Sequence, residues 1–380
     1  MKLTVMFIAP ARKGFTGATI AILNMAIGLA KLRARVHVVT SSPPLRHLSI
    51  LERLKKSGVN VHILPKKPPS PIYWLYLAWG SLCIALHVKP SIIHPHLPKV
   101  FPIALLASKI LRIPIIATLE GDPIHESLTF NLTRKALTYA AWSLMRRYSS
   151  IICPCSAWLA KVIAHRYPDV DDKLRPLPNP IDYERFAKAK GEGVKERLGI
   201  KGLMIFTAAR LDRVKGIDVL IKAAKELKDQ GLKVTFVVAG EGPHRKYLED
   251  LISELGVSDY VKLLGFRDDV DKLVAACDIA VLPSIYEPFG MPAAEAGACQ
   301  KPVIVSDAGG LKEIVINGVT GIIVPREDHR ALASAIAKLA TNPELRLRLA
   351  GLANNRVKRN FTTKAVALKL LKIYDEVLSK

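Results

Sequence analysis

The sequence predicts an α/β protein built from two similar-sized, doubly wound parallel-sheet domains. Three observations lead there. Short apolar runs alternate with longer amphipathic ones, the pattern of βαβ units. The alternation occurs as two series, separated by a stretch rich in Pro, Gly and charge. At 380 residues, half of them hydrophobic, the chain can bury two cores.

In chain order, strands are expected at 3–8, 36–40, 59–64, 92–94, 113–118 and 150–153, with helices at 17–31, 48–57, 72–88, 101–111 and 132–147. The first run follows a single Lys2 and soon reaches Pro10, so it reads as a buried strand rather than a signal peptide. Residues 72–88 carry no charge beyond His87 and include Tyr73, Trp74, Tyr76 and Trp79. This run falls short of the roughly 20 apolar residues that a membrane span needs. It reads as a core helix. An interfacial helix is the alternative, because Trp and Tyr favour the headgroup level and Lys66, Lys67 and Lys89 flank the run. Residues 179–201 lack clear periodicity and are assigned as the linker. The second series has strands at 203–208, 234–239, 261–264, 279–282, 302–305 and 321–324, and an amphipathic helix at 362–378.

The net charge of +23 is unevenly spread. Residues 1–190 hold 27 Lys and Arg against nine Asp and Glu, a surplus of +18; residues 191–380 hold 29 against 24. A basic half beside a near-neutral half points to one domain meeting an anionic surface, either lipid headgroups or nucleic acid. The five cysteines are odd in number and form no CxxC pair, and Cys153-Pro-Cys155 has the wrong spacing for a zinc knuckle. A reducing, cytoplasmic setting follows, peripheral to the inner face of a membrane if the basic half binds lipid.

The chemistry concentrates in the second half. Glu287 and Glu295 flank the run Pro-Phe-Gly-Met-Pro-Ala-Ala, directly after the strand at 279–282. Strand, loop and helix in that order put Glu287 at a carboxyl strand end beside free helical N–H groups, where open α/β sheets bind ligands. Carboxylates suit hydroxyls and a helix start suits phosphate, so a nucleotide-sugar fits. Arg210 and Lys215 lie in the loop after the strand at 203–208, where a guanidinium and an ammonium together can hold a diphosphate without a metal. Gly240 and Gly242 follow the next strand, where glycine allows either close backbone approach to a ligand or a tight turn. Arg267, past the strand at 261–264, joins the donor-binding set. In the first half, the loop containing Gly14 and Gly17 lacks the G-x-G-x-x-G pattern and an acidic residue about 20 positions on. That excludes an ordinary NAD site and leaves a loop touching a donor phosphate or an acceptor. His94 and His96 have no third ligand nearby in sequence, so no metal site and no cofactor is expected.

From Arg210 to Glu313 the chain resembles the retaining glycosyltransferases with two Rossmann-like domains, the GT-B fold, family 4. The resemblance rests on Arg210 with Lys215-Gly216, the Glu287 and Glu295 pair, Lys301-Pro302-Val303, Ala308-Gly309-Gly310 with Glu313, and Asn317-Gly318 with Gly321. Looser similarity covers the rest, including Pro178-Asn179-Pro180-Ile181-Asp182, which looks like the family's linker. The resemblance implies a C-terminal helix packing back on the first domain. The domains are then 1–178 with 361–380, binding acceptor, and 202–360, binding donor, facing each other across a cleft. It further implies that Arg210 and Lys215 neutralise the donor diphosphate. Glu287 would orient sugar hydroxyls with the N–H groups of Phe289, Gly290 and Met291, and Glu295 would hold the ribose. Two positions depart from the family pattern. Gln300 replaces the usual glycine. Glu120 replaces a histidine that contacts the donor sugar; it can accept a sugar hydroxyl, with His96 nearby, but adds negative charge beside a leaving diphosphate.

The expected activity is metal-independent transfer of a hexose from GDP-mannose or a UDP-hexose to a hydroxyl of a lipid-linked or polysaccharide glycan. A nucleotide-sugar epimerase of similar architecture needs no acceptor and is the first rival. A non-catalytic nucleic-acid binder would use the +18 but leaves both cations and both glutamates of the second half without a role, and no RNA-binding motif is present.

Overall fold

A computed structural model of the chain describes residues 3–9, 17–41, 48–64, 72–96, 98–123 and 132–380. The chain forms two compact units, Met1–Pro180 with Thr363–Lys380, and Ile181–Thr362. In the first unit the strands are β1 (Thr4–Ile8), β2 (Arg35–Ser41), β3 (Asn60–Leu64), β4 (Ile92–Pro95), β5 (Ile116–Leu119) and β6 (Ile151–Pro154). A parallel sheet runs β3-β2-β1-β4, and the parallel pair β5-β6 continues it through bridges at Ile93↔Ile115 and His96↔Thr118. Every residue of β1 is buried, as expected for a central strand covered on both faces.

The second unit contains β7 (Leu203–Ala208), β8 (Val234–Ala239), β9 (Val261–Leu263), β10 (Ile279–Leu282), β11 (Val303–Ser306) and β12 (Ile322–Val324). They form one parallel sheet, β12-β11-β10-β7-β8-β9. Counted from the first strand of each unit, both orders are 3-2-1-4-5-6. Each unit therefore has a switch point where the chain leaves in opposite directions, between β1 and β4 and between β7 and β10.

One assignment needs correction. The expected linker, 179–201, is mostly part of the second unit from Ile181 onward. Helices Tyr183–Ala187 and Val194–Arg197 lie there, with Phe186, Val194 and Ile200 buried. Helices this short show no readable period, and the Gly191 backbone lies so close to Ala276 that a Cβ would come within 2.4 Å of its nitrogen. Helix Ile72–Val88 divides its faces: Leu77, Leu82 and Ala85 are buried while Leu75, Trp79 and Leu86 stand in solvent. Gln300 adopts φ 53°, a left-handed backbone that suits the glycine expected there.

Helix Thr363–Leu378 belongs to the first unit. Its Val366, Leu370 and Tyr374 enter the core that holds Val5, Phe7 and Leu29. It crosses helix Gly17–Lys31 at Gly28, where an added Cβ would lie 2.3 Å from the Thr363 carbonyl oxygen. Glu376 accepts two bonds from Arg175, Nη2 to Oε1 at 2.6 Å and Nε to Oε2 at 3.0 Å. The Tyr374 hydroxyl bonds His94 Nδ1 at 2.7 Å, and His94 Nε2 meets Thr118 Oγ1 at 2.9 Å. Burial holds the His94 and His96 imidazoles neutral, with pKa values lowered to about 3, and for His94 the neighbouring His96 adds to the effect.

Two predictions follow from this packing. Gly28→Val forces the terminal helix off its seat and should lower unfolding free energy by about 2 kcal/mol, read by urea titration. Acidification should destabilise the first unit. Between pH 6.5 and about 3 its unfolded state binds more protons at His94 and His96 than the folded state does. The stability present above pH 6.5 is then lost as pH falls. All four tryptophans lie in this unit, so their fluorescence reports it alone; a flat response across that window contradicts the account.

Candidate active site

The switch point of the second unit gathers part of the expected set: Lys215 and Glu287 meet there, and Glu295 borders it. The ladder between β7 and β10 ends at Phe206↔Ala280, short of the carboxyl end of either strand. Beyond it opens a small crevice lined by Phe206, Ala208, Leu282, Pro292 and Glu295. Its rim is a clamp between two loops. After β7 the chain makes a 3-10 turn at Arg213–Lys215 and reaches Gly216 with φ 62°. Gly216 packs against the loop after β10, where a Cβ would lie 2.1 Å from the Pro283 carbonyl oxygen. The Ile285 N–H donates to the Val214 carbonyl at 2.8 Å, and Tyr286 N–H donates to the same oxygen at 3.3 Å.

This clamp brings together two side chains far apart in sequence. Lys215 Nζ donates to Glu287 Oε2 at 2.8 Å, both side chains being mostly buried. Ser284 Oγ donates to the same carboxylate oxygen at 3.3 Å. Ser284 was not among the expected site residues; its position two residues beyond β10 is the signal that could have found it. The main chain of Glu287 is fixed as well, its carbonyl accepting from Gly310 N–H at 2.9 Å. That requires glycine at 310, where a Cβ would meet the Pro288 carbonyl oxygen at 2.2 Å.

Helix Met291–Ala298 starts immediately beyond, with Gly290 as its left-handed cap at φ 102° and Pro292 in its first turn. The N–H groups of Phe289, Gly290 and Met291 donate to nothing among the described residues. Three unpaired amides at a helix start form a ready anion cradle. The Phe289 ring is buried and meets Phe361 edge-on at 5.8 Å, which anchors the turn. Glu295, half-buried on the same helix, borders the crevice. Burial pushes its carboxyl up to about 7, against the opposing pull of the Arg185 guanidinium. Arg185 is itself held by Asp271 Oδ1 at 2.7 Å and is a second neighbour not expected from the sequence.

Arg210 occupies the same loop as Lys215 but reaches outward. Its side chain is 70% exposed and its Nε lies 3.3 Å from Asp212 Oδ2. It is available as a mobile cation, while Lys215 is already engaged. Gly240 and Gly242 serve the loop rather than an open space. A Cβ on Gly240 would come within 1.8 Å of the Ala209 carbonyl oxygen, and one on Gly242 within 2.2 Å of the Leu211 oxygen. Leu211 N–H donates to the Glu241 carbonyl at 3.0 Å, so these glycines seat the segment carrying Arg210. Arg267 is bound by both oxygens of Asp269, at 2.7 and 2.8 Å.

In the first unit His96 and Glu120 are neighbours at the carboxyl edge of the sheet, His96 Nε2 lying 3.7 Å from Glu120 Oε1. Asn179 Nδ2 donates to Glu120 Oε2 at 2.6 Å, a partner not foreseen for the carboxylate, while the buried Asn179 Oδ1 has no hydrogen-bond partner among the described residues. Gly17 opens helix Gly17–Lys31, where an added Cβ would meet none of the described residues within 4 Å, and Gly14 lies outside the described residues. Among the described residues no three His, Cys, Asp or Glu side chains are grouped to hold a metal ion.

Comparison with known proteins agrees with this geometry. Residues 194–356 match the family model for glycosyl transferases group 1, and residues 15–185 match that for Glycosyltransferase Family 4. The chain is 27% identical over 379 residues to the alpha-D-kanosaminyltransferase of Streptomyces kanamyceticus, covering 90% of this chain and 94% of that protein. In fold it is similar to Anabaena HepE solved with UDP-glucose, with a TM-score of 0.82 and 21% identity over 98% of this chain and 100% of that one. It is also similar to the sucrose-phosphate synthase of Thermosynechococcus elongatus, with a TM-score of 0.78 and 20% identity over 100% of both chains. With two parallel-sheet α/β domains of the GT-B type, the chain belongs to the group 1, family 4 glycosyltransferases.

Proposed function

We propose that the protein moves a hexose from a nucleoside-diphosphate sugar, GDP-mannose or a UDP-hexose, to a hydroxyl of a lipid-linked or polysaccharide glycan, with retention at the anomeric carbon and without a metal. The second unit takes the donor and the first takes the acceptor. The observation that carries this reading is the Lys215–Glu287 contact at a switch point, beside three unpaired helix-start amides. HepE in complex with UDP-glucose and a kanosaminyl-transferring relative support the donor class.

Rupture of the C1–O bond sends an electron pair to the diphosphate and leaves positive charge on the sugar. Lys215 and the amides of Phe289, Gly290 and Met291 supply fixed positive potential where the negative charge grows, and Arg210 swings in as a mobile cation. Glu287, already oriented by Lys215 and Ser284, accepts sugar hydroxyls and holds C1 for attack. Glu295, with its raised pKa, accepts or donates to ribose hydroxyls near neutrality. Retention requires the acceptor hydroxyl on the face that the diphosphate leaves. His96, Glu120 and Asn179 offer hydroxyl-binding groups in the first unit.

Arg210→Ala should reduce turnover by about 10²–10³-fold, with the melting temperature nearly unchanged because the side chain is largely solvent-exposed. Retained turnover contradicts the diphosphate role. Donor identity is read by thermal shift with GDP-mannose, UDP-glucose, UDP-galactose and UDP-N-acetylglucosamine, since donor binding raises stability by mass action. Sugar turnover by donor alone, giving an epimer, would favour the rival reading. The anomeric coupling in the product tests retention.

A further inference from the structure

Three helices of the first unit, Ile72–Val88, Phe101–Leu111 and Leu132–Tyr148, lie side by side, the middle one packed on both others. Each leaves apolar side chains in solvent. Leu75, Trp79 and Leu86 share one face of the first helix, with Leu75 71% and Trp79 68% exposed. Leu106 and Ile110 stand one turn apart on the second helix, and Leu137 is exposed on the third. Large exposed apolar groups gathered on adjacent elements mark a docking surface rather than scattered surface residues.

The charge on these helices has one sign. None of the three contains Asp or Glu. The Lys109 ammonium lies 4.8 Å from the Tyr148 ring centre and the Arg147 guanidinium 5.5 Å from it, which ties cations of the second and third helices to one aromatic. Lys89 and Arg112, both exposed, follow the first two helices directly. An apolar centre carrying tryptophan, with a cationic border, matches the boundary between acyl chains and anionic headgroups.

We propose that this three-helix face docks the protein on an anionic bilayer. Leu75, Trp79 and Ile110 enter to headgroup depth, and Lys109, Arg147 and Lys89 meet lipid phosphates. The proposal names the surface on which the lipid-linked acceptor reading above would operate, and it rests on that reading for its purpose. Two copies joined through the same face would bring like charges together around the axis. No helix among the described residues is long and apolar enough to cross a membrane, so the contact is interfacial.

The test is flotation of the full chain with phosphatidylcholine vesicles, with and without phosphatidylglycerol, at low and high salt. The chain should float with phosphatidylglycerol at low salt and be released by high salt. Trp79→Ser combined with Ile110→Ser should lower partitioning about tenfold or more. Lys109→Glu combined with Arg147→Glu should remove the dependence on phosphatidylglycerol. All four side chains are exposed, so unfolding midpoints and donor-induced thermal shifts should stay unchanged. Unaltered flotation of the Trp79/Ile110 variant overturns the proposal. So does a dimer in sedimentation that Trp79→Ser dissolves while the native chain ignores vesicles. A floating chain that transfers nothing to lipid-linked acceptors supports the docking face and overturns the acceptor reading alone.

Discussion

Everything in the second unit's site depends on one carbonyl. The Val214 oxygen accepts the N–H groups of Ile285 and Tyr286 and so locks the loop after β7 to the loop after β10. Without that lock Lys215 and Glu287 would be two solvated side chains on neighbouring loops. With it they form a mostly buried pair that presents one carboxylate in a set direction. A group whose orientation is settled before the ligand arrives loses little entropy on binding, and preorganisation of this kind underlies electrostatic catalysis. Gly216 and Gly310 are the steric conditions for the lock, because each lies against a carbonyl oxygen that leaves no room for a side chain.

The two units share a strand order but use their switch points differently. In the second, Arg210, Lys215 and the open amides lie on the loops beyond β7 and β10, a field suited to phosphate. In the first, neutral imidazoles, an amide and a carboxylate form the edge. That set exchanges hydrogen bonds with hydroxyls and has little pull on an anion. The same topology therefore offers an anion-attracting seat in one half and a hydroxyl-matching one in the other.

Much of this was legible in the chain. Alternating runs located the strands, since buried parallel strands are apolar throughout and stand out between amphipathic helices. Lys215 and Glu287 could be found because each follows such a strand in a loop with glycine. Their contact could not, because it hangs on a backbone bond between segments about 70 residues apart. Gly240 and Gly242 signalled close approach, but whether the thing approached is a ligand or the Ala209–Leu211 backbone is a tertiary fact. Arg267 looked like a ligand contact and is held by an acid two positions away. The uniform apolarity of Ile72–Val88 concealed which of its faces is packed, as any helix without a polar stripe does.

The placement of helix Thr363–Leu378 also constrains the order in which the molecule can be completed during synthesis. Residues of this helix fill the core beside Phe7 and Leu29, yet they leave the ribosome only after the whole of Ile181–Thr362 has emerged. The later-made unit is complete before the earlier-made one, which has all its strands by Pro154 but still lacks its last helix. Until its last helix arrives, the earlier unit carries an open apolar trough along Gly17–Lys31, the kind of surface on which nascent chains aggregate or recruit chaperones.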